Sequence, residues 1–348
     1  MSSPVSRSQV SVAMATYNGE QYVREQLESI AHQDLQPLEL VVADDGSTDA
    51  TLQIVGDFAR YAPFPVKVFR NETRLGYADN FLKAASLCRG DLIAFCDQDD
   101  VWVEQKLKVC AKFFADPEVL LVAHSAWTLL DSGERGRLFP RFKRTRVSDI
   151  GTCDPFAFVH GFAMIIRSEL LEIAHIVPRP ARFLGHDQWC WFWAASIGKI
   201  ATLSEALALY RQHEQNVFGA SEAGVALRAK NIAITVGYEE HAAFESDCSR
   251  ILHAAAEQSM NVADRLRKSA ARLEFRARLH RIRNQIYSKE SGLMQRLMAF
   301  IRIFFLGGYM SDQSGTRLGP RAALKDMLFG VPGMYRLFVS STPPSKEA

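Results

Sequence analysis

Along its first hundred residues, the chain alternates short apolar runs with polar clusters and segments of helical periodicity. The apolar runs are residues 10–15, 38–43, 66–69 and 91–96, and the amphipathic segments between them are residues 21–32, 50–61 and 77–88. Strands separated by helices of this length form parallel βαβ units with right-handed crossovers. The pattern therefore predicts an α/β fold with a mostly parallel central sheet.

Where three of the apolar runs stop, the chain places residues suited to ligand binding. Asn18 follows the first run, Asp45 the second and Asp97 the fourth. In open α/β sheets, ligands bind in the crevice beyond the carboxyl ends of the strands, so we expect these three side chains to converge. For Asp44, which opens an Asp-Asp-Gly-Ser sequence, a turn or helix-cap role is an open alternative.

The fourth apolar run ends abruptly at Asp97-Gln98-Asp99-Asp100, with three carboxylates in four positions. Carboxylates this close raise one another's pKa unless a cation neutralises them. Hard oxygen ligands select Mg²⁺ or Mn²⁺ rather than Zn²⁺, and a diphosphate is a natural partner of either ion. The motif therefore predicts a divalent-cation site, although Asp100 alone would also fit a helix cap.

Beyond Trp102 the elements are less regular, and the composition changes near residue 220. We predict a helix over residues 104–114, strands over 119–126 and 161–166, and a mobile polar loop over 131–146. An aromatic helix that opens at a His-Asp pair is predicted over residues 186–193. After Phe218 the chain is rich in Ala, Arg and Glu. This predicts a flexible N-terminus over residues 1–9, an α/β domain over 10–220 and a helical region over 221–348.

The basic residues gather in that last region. The net charge of the chain is only +2, which argues against a nucleic-acid partner, but residues 265–302 hold eleven Lys and Arg against two Glu. Residues 293–306 are too short and too charged to span a bilayer, and they fit an interfacial helix on anionic lipid; residues 327–339 form a second such patch. An oligomeric or interdomain contact is the alternative. Without a secretory signal, we expect a cytoplasmic protein, peripheral on the inner face of the bacterial cytoplasmic membrane.

Six stretches together resemble the family 2 glycosyltransferases of bacterial polysaccharide assembly: residues 10–19, 41–49, 74–81, 97–102, 186–189 and 210–213. The form Asp-Gln-Asp-Asp-Val-Trp, with His-Asp-Gln-Trp and Tyr-Arg-Gln-His downstream, is most similar to rhamnosyltransferases such as those of O-antigen synthesis. The resemblance implies a GT-A fold, in which a nucleotide-binding αβα sandwich (10–102) joins an acceptor half (103–220). It also implies Mg²⁺ or Mn²⁺ and an inverting displacement. The implied donor is dTDP-L-rhamnose, with a UDP-hexose as the alternative, and the acceptor is a glycan or lipid-linked glycan.

The same resemblance assigns roles to individual residues. Asp187 is implied as the catalytic base that deprotonates the acceptor hydroxyl. The implied nucleotide-sugar contacts are Tyr17, Asp45, Arg74, Gly76, Asn80, Asp97 and Arg211. The implied metal ligands are Asp99, Asp100 and His213, and the implied acceptor contacts are Trp189 and His186.

Two other classes of protein share some of these features. A sugar-phosphate nucleotidyltransferase would need a Gly-rich, basic triphosphate loop, which residues 13–20 lack. A receiver-like regulator would bind Mg²⁺ through Asp44 and Asp45, but it needs only ~120 residues and would leave Asp187 without a role. Release of free nucleoside diphosphate from a donor separates a transferase from both.

Overall fold

A computed structural model of the chain describes residues 9–130, 132–157, 159–180, 183, 185–213, 237–311 and 316–333. The chain divides into two compact units, Met1–Ser221 and Glu222–Ala348, which are treated separately below. The predicted flexible terminus at residues 1–8 and the end of the second apolar patch, at residues 334–339, lie outside the described residues.

The first unit is an α/β structure built on one ten-stranded sheet. Its strands are β1 (Val10–Thr16), β2 (Glu39–Asp44), β3 (Val66–Arg70), β4 (Leu92–Asp97), β5 (Val101–Trp102), β6 (Val119–Leu129), β7 (Arg135–Leu138), β8 (Arg146–Ser148), β9 (Met164–Arg167) and β10 (Lys199–Arg211). Its α-helices are α1 (Val23–Ala31), α2 (Thr51–Ala59), α3 (Tyr77–Ser86), α4 (Lys106–Ala111), α5 (Ser168–Ala174) and α6 (His186–Ile197). The 3₁₀ turns are Lys112–Ala115 and Gly161–Ala163.

The sheet order is β3-β2-β1-β4-β9-β6-β10-β5, with β7 on β6 and β8 on β10. The first four strands in this order are parallel, as the βαβ pattern predicts, and β6 and β10 are also parallel. β9 lies antiparallel between β4 and β6. The predicted α/β fold with a C-terminal helical part is confirmed, and the parallel half of the sheet carries the polar strand ends.

Continuous apolar runs form the strands of the parallel half because helices cover the sheet on both faces. All six residues of β2 are buried, as are six of the seven in β1. The core below the strand ends includes Met14, Val42 and Cys96 from neighbouring strands. Such packing leaves the loops that follow β1, β2 and β4 little freedom to move.

The predicted mobile loop at residues 131–146 is wrong, because part of this stretch is strand. β7 pairs with β6 through Trp127–Leu138 and Leu129–Arg135, and β8 begins at Arg146 and pairs with β10. The charged sequence of β7 hides the strand, since its order comes from backbone pairing with β6, the strand that precedes it. This hairpin extends the sheet beside the second half of the first unit.

The second unit is helical within the residues that the structure describes. Its helices are α7 (Tyr238–Gln258), α8 (Ala263–Tyr287), α9 (Leu293–Phe305) and α10 (Pro320–Lys325), followed by a π-helical turn (Asp326–Gly330). Leu279, Ile286 and Ile303 pack in its small core. Asp326 is fully buried there and accepts hydrogen bonds from Arg283 and Tyr309.

The outer face of α9 is apolar. Met294, Leu297, Met298, Phe304 and Phe305 recur at helical spacing and are all exposed, Phe305 to 84%. In the ranges that the structure describes, no helix is both long enough and apolar enough to cross a membrane.

Candidate active site

The loops that follow β1 and β2 are tied to each other at the carboxyl edge of the sheet. Asn18 adopts a positive φ of 47°, and its side-chain oxygen accepts a hydrogen bond from the Thr48 N–H at 2.9 Å. Its own N–H donates to the Ser47 hydroxyl at 2.9 Å. Asp44 accepts hydrogen bonds from Thr16 and from the turn N–H of Ser47, so its role is to shape the turn.

Asp45 organises the loop that precedes α3. Its buried carboxylate accepts hydrogen bonds from the N–H groups of Leu75 at 2.7 Å and Gly76 at 2.9 Å, and from the Asn71 amide at 2.9 Å. Gly76 has a φ of +81°, which favours glycine, and it directly precedes α3. Asn80 is buried and bonds Ala43 and Asn71, so it supports this loop from inside the protein.

Tyr17 and Arg74 form an exposed platform beside Asp45. The Arg74 guanidinium carbon lies 3.9 Å from the centroid of the Tyr17 ring, and its Nε lies 3.8 Å from Asp45. The Tyr17 backbone exchanges two hydrogen bonds with the Gln98 side chain, at 2.9 and 3.0 Å. The platform is therefore joined directly to the acidic motif.

The acidic motif holds its three carboxylates close together. One oxygen each of Asp97, Asp99 and Asp100 lies within 4.8 Å of the others. Burial, followed by the charges of Asp99 and Asp187, raises the pKa of Asp97 well above its ordinary value. Burial and the charge of Asp99 do the same for Asp100. These groups are strained by mutual repulsion, which a bound cation would relieve.

The end of β10 braces this motif. Arg211 donates to the Asp99 carbonyl at 2.8 Å and pairs with Glu25, while its backbone N–H donates to Asp100 at 3.0 Å. The Nε2 atom of His213 lies 2.8 Å from Asp99 Oδ2, and the His213 ring stacks on Tyr22. The predicted metal ligands thus come together, whereas the Arg211 guanidinium is engaged by protein groups.

The donor set fits a divalent cation. It offers one carboxylate oxygen each from Asp97, Asp99 and Asp100, and Asp100 Oδ2 is buried without a hydrogen-bond partner among the described residues. A buried carboxylate oxygen without a donor is costly unless a cation completes its environment. These carboxylates could hold Mg²⁺ or Mn²⁺, and the predicted ligand His213 borders them through its contact with Asp99.

Asp187 lies in the first turn of α6, and its charge interacts with that of Asp97 in the acidic motif. Burial raises its pKa to about 6. The backbone N–H groups of Gln188 and Gly161 lower the pKa and offset part of this rise. Its charge in turn raises the pKa of Asp97, and the ring of the adjacent His186 contacts Phe95 of β4, so the start of α6 lies beside the end of β4. A carboxyl group that titrates near pH 6 can be ionised and still accept a proton at neutral pH.

The two predicted acceptor contacts are placed inside the protein. Trp189 is only 1% exposed, with its ring packed on Phe192 and Trp193, and its Nε1 donates to Ala174. This placement leaves no free face on which a sugar could stack.

His186 is likewise buried. Its ring stacks on Phe81 at 4.1 Å and contacts Phe95 at 4.6 Å, and burial lowers its pKa to about 3. It is therefore a neutral packing residue under Asp187, and neither His186 nor Trp189 fits an acceptor contact.

Three residues that the sequence reasoning missed take part in this arrangement. Gln98 ties the acidic motif to Tyr17, and the backbone of Gly161 helps to lower the pKa of Asp187. Lys106 is fully buried, and its Nζ donates to the carbonyl of Phe162, the residue after Gly161, at 2.7 Å. For Lys106 a signal was present, because it shares the apolar face of α4 with Cys110 at a spacing of four residues.

Comparison with known proteins agrees with this fold. The crystal structure of S. aureus TarS 1–349 in complex with UDP-GlcNAc has the same fold, at 22% identity and a TM-score of 0.50, covering 87% of this chain and 93% of TarS. The family model for Glycosyl transferase family 2 matches residues 11–173. The putative glycosyltransferase EpsE of Bacillus subtilis is 30% identical over 207 residues, 58% of this chain and 73% of EpsE.

Two further relatives match over shorter shares of their length. An uncharacterized protein of Mycobacterium tuberculosis is 29% identical over 212 residues, and the match spans 60% of each chain. The dTDP-rhamnosyl transferase RfbG of Shigella flexneri is 39% identical over 99 residues, 27% of this chain and 34% of RfbG. The chain belongs to glycosyl transferase family 2. This membership separates it from the nucleotidyltransferase and receiver-like alternatives.

Proposed function

We propose that the chain transfers a sugar from a nucleotide-diphosphate donor to a hydroxyl group of a glycan, with inversion at the anomeric carbon. The observation that carries the proposal is the position of Asp187 at the start of α6, where the ring of the adjacent His186 contacts Phe95, two residues before the acidic motif. The charge of Asp187 accordingly raises the pKa of Asp97. An acidic motif suited to a metal-bound diphosphate then faces a carboxylate suited to general-base catalysis. A single displacement inverts the anomeric carbon because base and leaving group act on opposite faces of the sugar.

The donor side offers side chains suited to bind a nucleotide. The Tyr17 ring is 38% exposed and offers an aromatic surface to the base. Asp45 receives three hydrogen bonds from its loop, and a carboxylate has about four acceptor positions, so one remains for a ring N–H of the base. Arg74 and Gly76 border the ribose and diphosphate, and Asp97 receives the ribose or a metal-bound water.

Mg²⁺ or Mn²⁺, held by Asp99, Asp100 and His213, would neutralise the charge that develops on the leaving diphosphate. Arg211 and Asn80 contribute by holding the site in shape. The Arg211 bonds to Glu25 and to the Asp99 carbonyl fix the segment that presents the metal ligands.

On the acceptor side, Asp187 removes the proton from the attacking hydroxyl. The buried turn at Gly161–Ala163 and the packed helix α6 hold its carboxylate in place. Positioned general bases of this kind contribute ~10² to 10⁴-fold to a rate.

For the donor we propose dTDP-L-rhamnose, supported by the partial likeness to RfbG; a UDP-hexose is the second candidate. The test is a donor screen with full-length protein and Mn²⁺, in which release of dTDP or UDP and the donor-induced shift in Tm are measured. We expect dTDP-rhamnose to give both signals and Asp99→Asn to abolish the Mn²⁺-dependent part. Turnover and stabilisation by UDP-sugars only would overturn the rhamnose assignment.

We further propose that α9 attaches the chain to an anionic membrane surface, where a lipid-linked acceptor for surface polysaccharide synthesis would be met. Its exposed apolar side chains suit the headgroup boundary, and the described part of the second unit has fifteen Lys and Arg against nine Asp and Glu. Attachment of this kind would place the enzyme on the cytoplasmic face.

Vesicle co-sedimentation tests this attachment. Vesicles that contain anionic phosphatidylglycerol should bind the protein more strongly than phosphatidylcholine alone, and the double variant Phe304→Ser/Phe305→Ser should lose most of the binding. Tyr61→Ser, which removes a 56% exposed ring from the first unit, is the matched control. Equal binding by both variants would refute the role of α9.

A further inference from the structure

The first unit carries a basic surface on residues 135–148, the segment that spans β7 and β8. This segment contains six Lys and Arg and no Asp or Glu. All six of the basic residues are exposed, and they are Arg135, Arg137, Arg141, Lys143, Arg144 and Arg146. Because the whole chain has a net charge of only +2, the remainder of the chain is net negative. A local excess of one sign of charge attracts ligands of the opposite sign.

The backbone of the basic surface is fixed by the sheet. β7 pairs with β6, and β8 pairs with β10. Between these strands, the Phe139 N–H donates to the Ala126 carbonyl at 2.7 Å and the Phe142 N–H donates to the Ser125 hydroxyl at 2.9 Å. The cationic side chains therefore stand on an ordered segment, so a ligand that binds them does not have to order the backbone first.

One end of the basic surface lies beside the candidate active site. The Arg137 guanidinium carbon lies 5.4 Å from the centroid of the Phe139 ring, and this ring stacks on that of Tyr210 with centroids 6.3 Å apart. Tyr210 directly precedes Arg211, whose backbone N–H donates to Asp100 of the acidic motif at 3.0 Å. A ligand that lies along the basic surface therefore has one end next to the acidic motif.

We propose that the basic surface binds the acceptor, and that the acceptor is an acidic glycan, a saccharide chain that carries carboxylate or phosphate groups. Five of the six basic residues are Arg, whose guanidinium group binds carboxylate and phosphate oxygens through paired N–H donors. This inference rests on the proposed function, in which a glycan hydroxyl attacks the donor beside the acidic motif. It adds the chemical class of that glycan.

An anionic membrane is the other partner that such a charge could attract, and the side chains of the basic surface favour the glycan. Segments that bind membranes combine basic residues with exposed apolar ones that enter the headgroup boundary, as α9 does. Within residues 135–148, all of which the structure describes, Val147 is the one large apolar residue that is exposed. Leu138, Phe139 and Phe142 are partly buried. The surface thus offers charge without a row of apolar side chains.

Binding of labelled oligosaccharides to the full chain, measured by fluorescence anisotropy, tests this inference. The probes are an oligogalacturonate, which carries carboxylates, a glycerol phosphate oligomer, and a neutral dextran oligomer of the same length. At about 0.15 M NaCl we expect at least one acidic probe to bind, and the dextran to bind at least about tenfold more weakly. The triple variant Arg141→Gln/Lys143→Gln/Arg144→Gln should raise the Kd for the acidic probe about tenfold, as three exposed ion pairs are lost.

The matched control removes the same charge from other exposed positions of the first unit, with the substitutions Arg24→Gln, Arg60→Gln and Lys112→Gln. It should change the Kd by no more than about twofold, because charges farther than about 8 Å from the ligand are screened at this ionic strength. Circular dichroism during thermal unfolding shows whether both triple variants are folded.

A second measurement needs no variant. Raising NaCl to about 0.5 M should weaken binding of the acidic probe to the natural sequence several-fold, and it decides the question if the triple variant does not fold. Equal Kd values for the two triple variants, binding that is insensitive to salt, or no binding of either acidic probe would each overturn the inference. Loss of binding to phosphatidylglycerol vesicles, with unchanged binding of the acidic probes, would assign the surface to the membrane and also overturn it.

These measurements use neither donor nor metal, so they separate the inference from the proposed function. If the donor screen gives no nucleoside diphosphate, the proposed function fails, and the acidic probes still decide which class of ligand the basic surface binds. If donor turnover is observed and neither acidic probe binds, the inference fails and the proposed function stands.

Discussion

Replacing the base by its amide, Asp187→Asn, should make the protein more stable and much less active. The folded pKa of Asp187 is about 6, against a reference value of 3.8, because burial disfavours the charged form. The folded protein therefore binds the proton more firmly than the unfolded chain, and the free energy of unfolding falls as the pH rises from about 4 to about 6. At pH 7 the variant avoids this loss, which amounts to at most about 3 kcal/mol.

The same carboxylate sets the activity. We expect kcat to fall by ~10² to 10⁴-fold in Asp187→Asn. In the natural sequence without substrate, about a tenth of the carboxyl groups are ionised at pH 5 and about nine tenths at pH 7, so kcat/KM should rise roughly tenfold over this interval. The amide variant should lack this rise.

The assay is release of nucleoside diphosphate between pH 5 and 8, paired with urea denaturation at pH 4.5 and 7. Asp57→Asn, at a partly exposed position of α2, is the control and should change neither property. A purely structural Asp187, acting as a helix cap, would lose stability and activity together at pH 7. That outcome, or an unchanged pH profile, would refute its assignment as the base.

Further substitutions test other parts of the arrangement. In urea denaturation, Gly161→Ala should lower the free energy of unfolding by about 1–3 kcal/mol, since its methyl group would meet His186. Gly56→Ala should raise it by about 0.5–1 kcal/mol, because Gly56 lies inside α2 with open space around it. Tyr17→Ala should raise the donor KM about tenfold and leave kcat within about threefold, because a stacked base binds equally in ground and transition states; a large fall in kcat would contradict this. Asp326→Asn should destabilise the second unit by about 3–5 kcal/mol, because it leaves the charge of the buried Arg283 uncompensated. The measurement is circular dichroism during thermal unfolding, and an unchanged melting profile would contradict the anchoring role of this carboxylate.

Local sequence was sufficient for the parallel half of the sheet. β1, β2 and β4 are buried on both faces and appear as continuous apolar runs, and the strand that follows each helix lies close by in the sheet. The second half depends on distant partners instead. β9 inserts antiparallel between β4 and β6, and the two residues of β5 are ordered by Ala208 and Leu209 of β10. The sequence predicts strands over residues 119–126 and 161–166, which are β6 and β9, but pairing over such separations leaves no local signal for their order or direction in the sheet.

In the candidate site too, some residues are identified by local sequence and others depend on contacts made by the fold. The acidic motif and Asp187 are recognisable from residue type and order. The contact of Gln98 with Tyr17 depends on the register of β1 and β4, in which Ala15 lies opposite Asp97. For Trp189 the sequence was misleading. An aromatic residue beside the proposed catalytic carboxylate suggests a surface on which a sugar stacks, but the Trp189 side chain is buried.

Helix α6 is buried around nearly its whole circumference, with only Gln188 partly exposed. A helix held on all sides cannot tilt or shift without disturbing the aromatic packing around it, so Asp187, the proposed base in its first turn, is held in a fixed position. Variation among relatives can then change the loops that select an acceptor while the geometry of proton removal stays constant. On this view, new acceptor specificities arise by reshaping the surroundings of an immobile base.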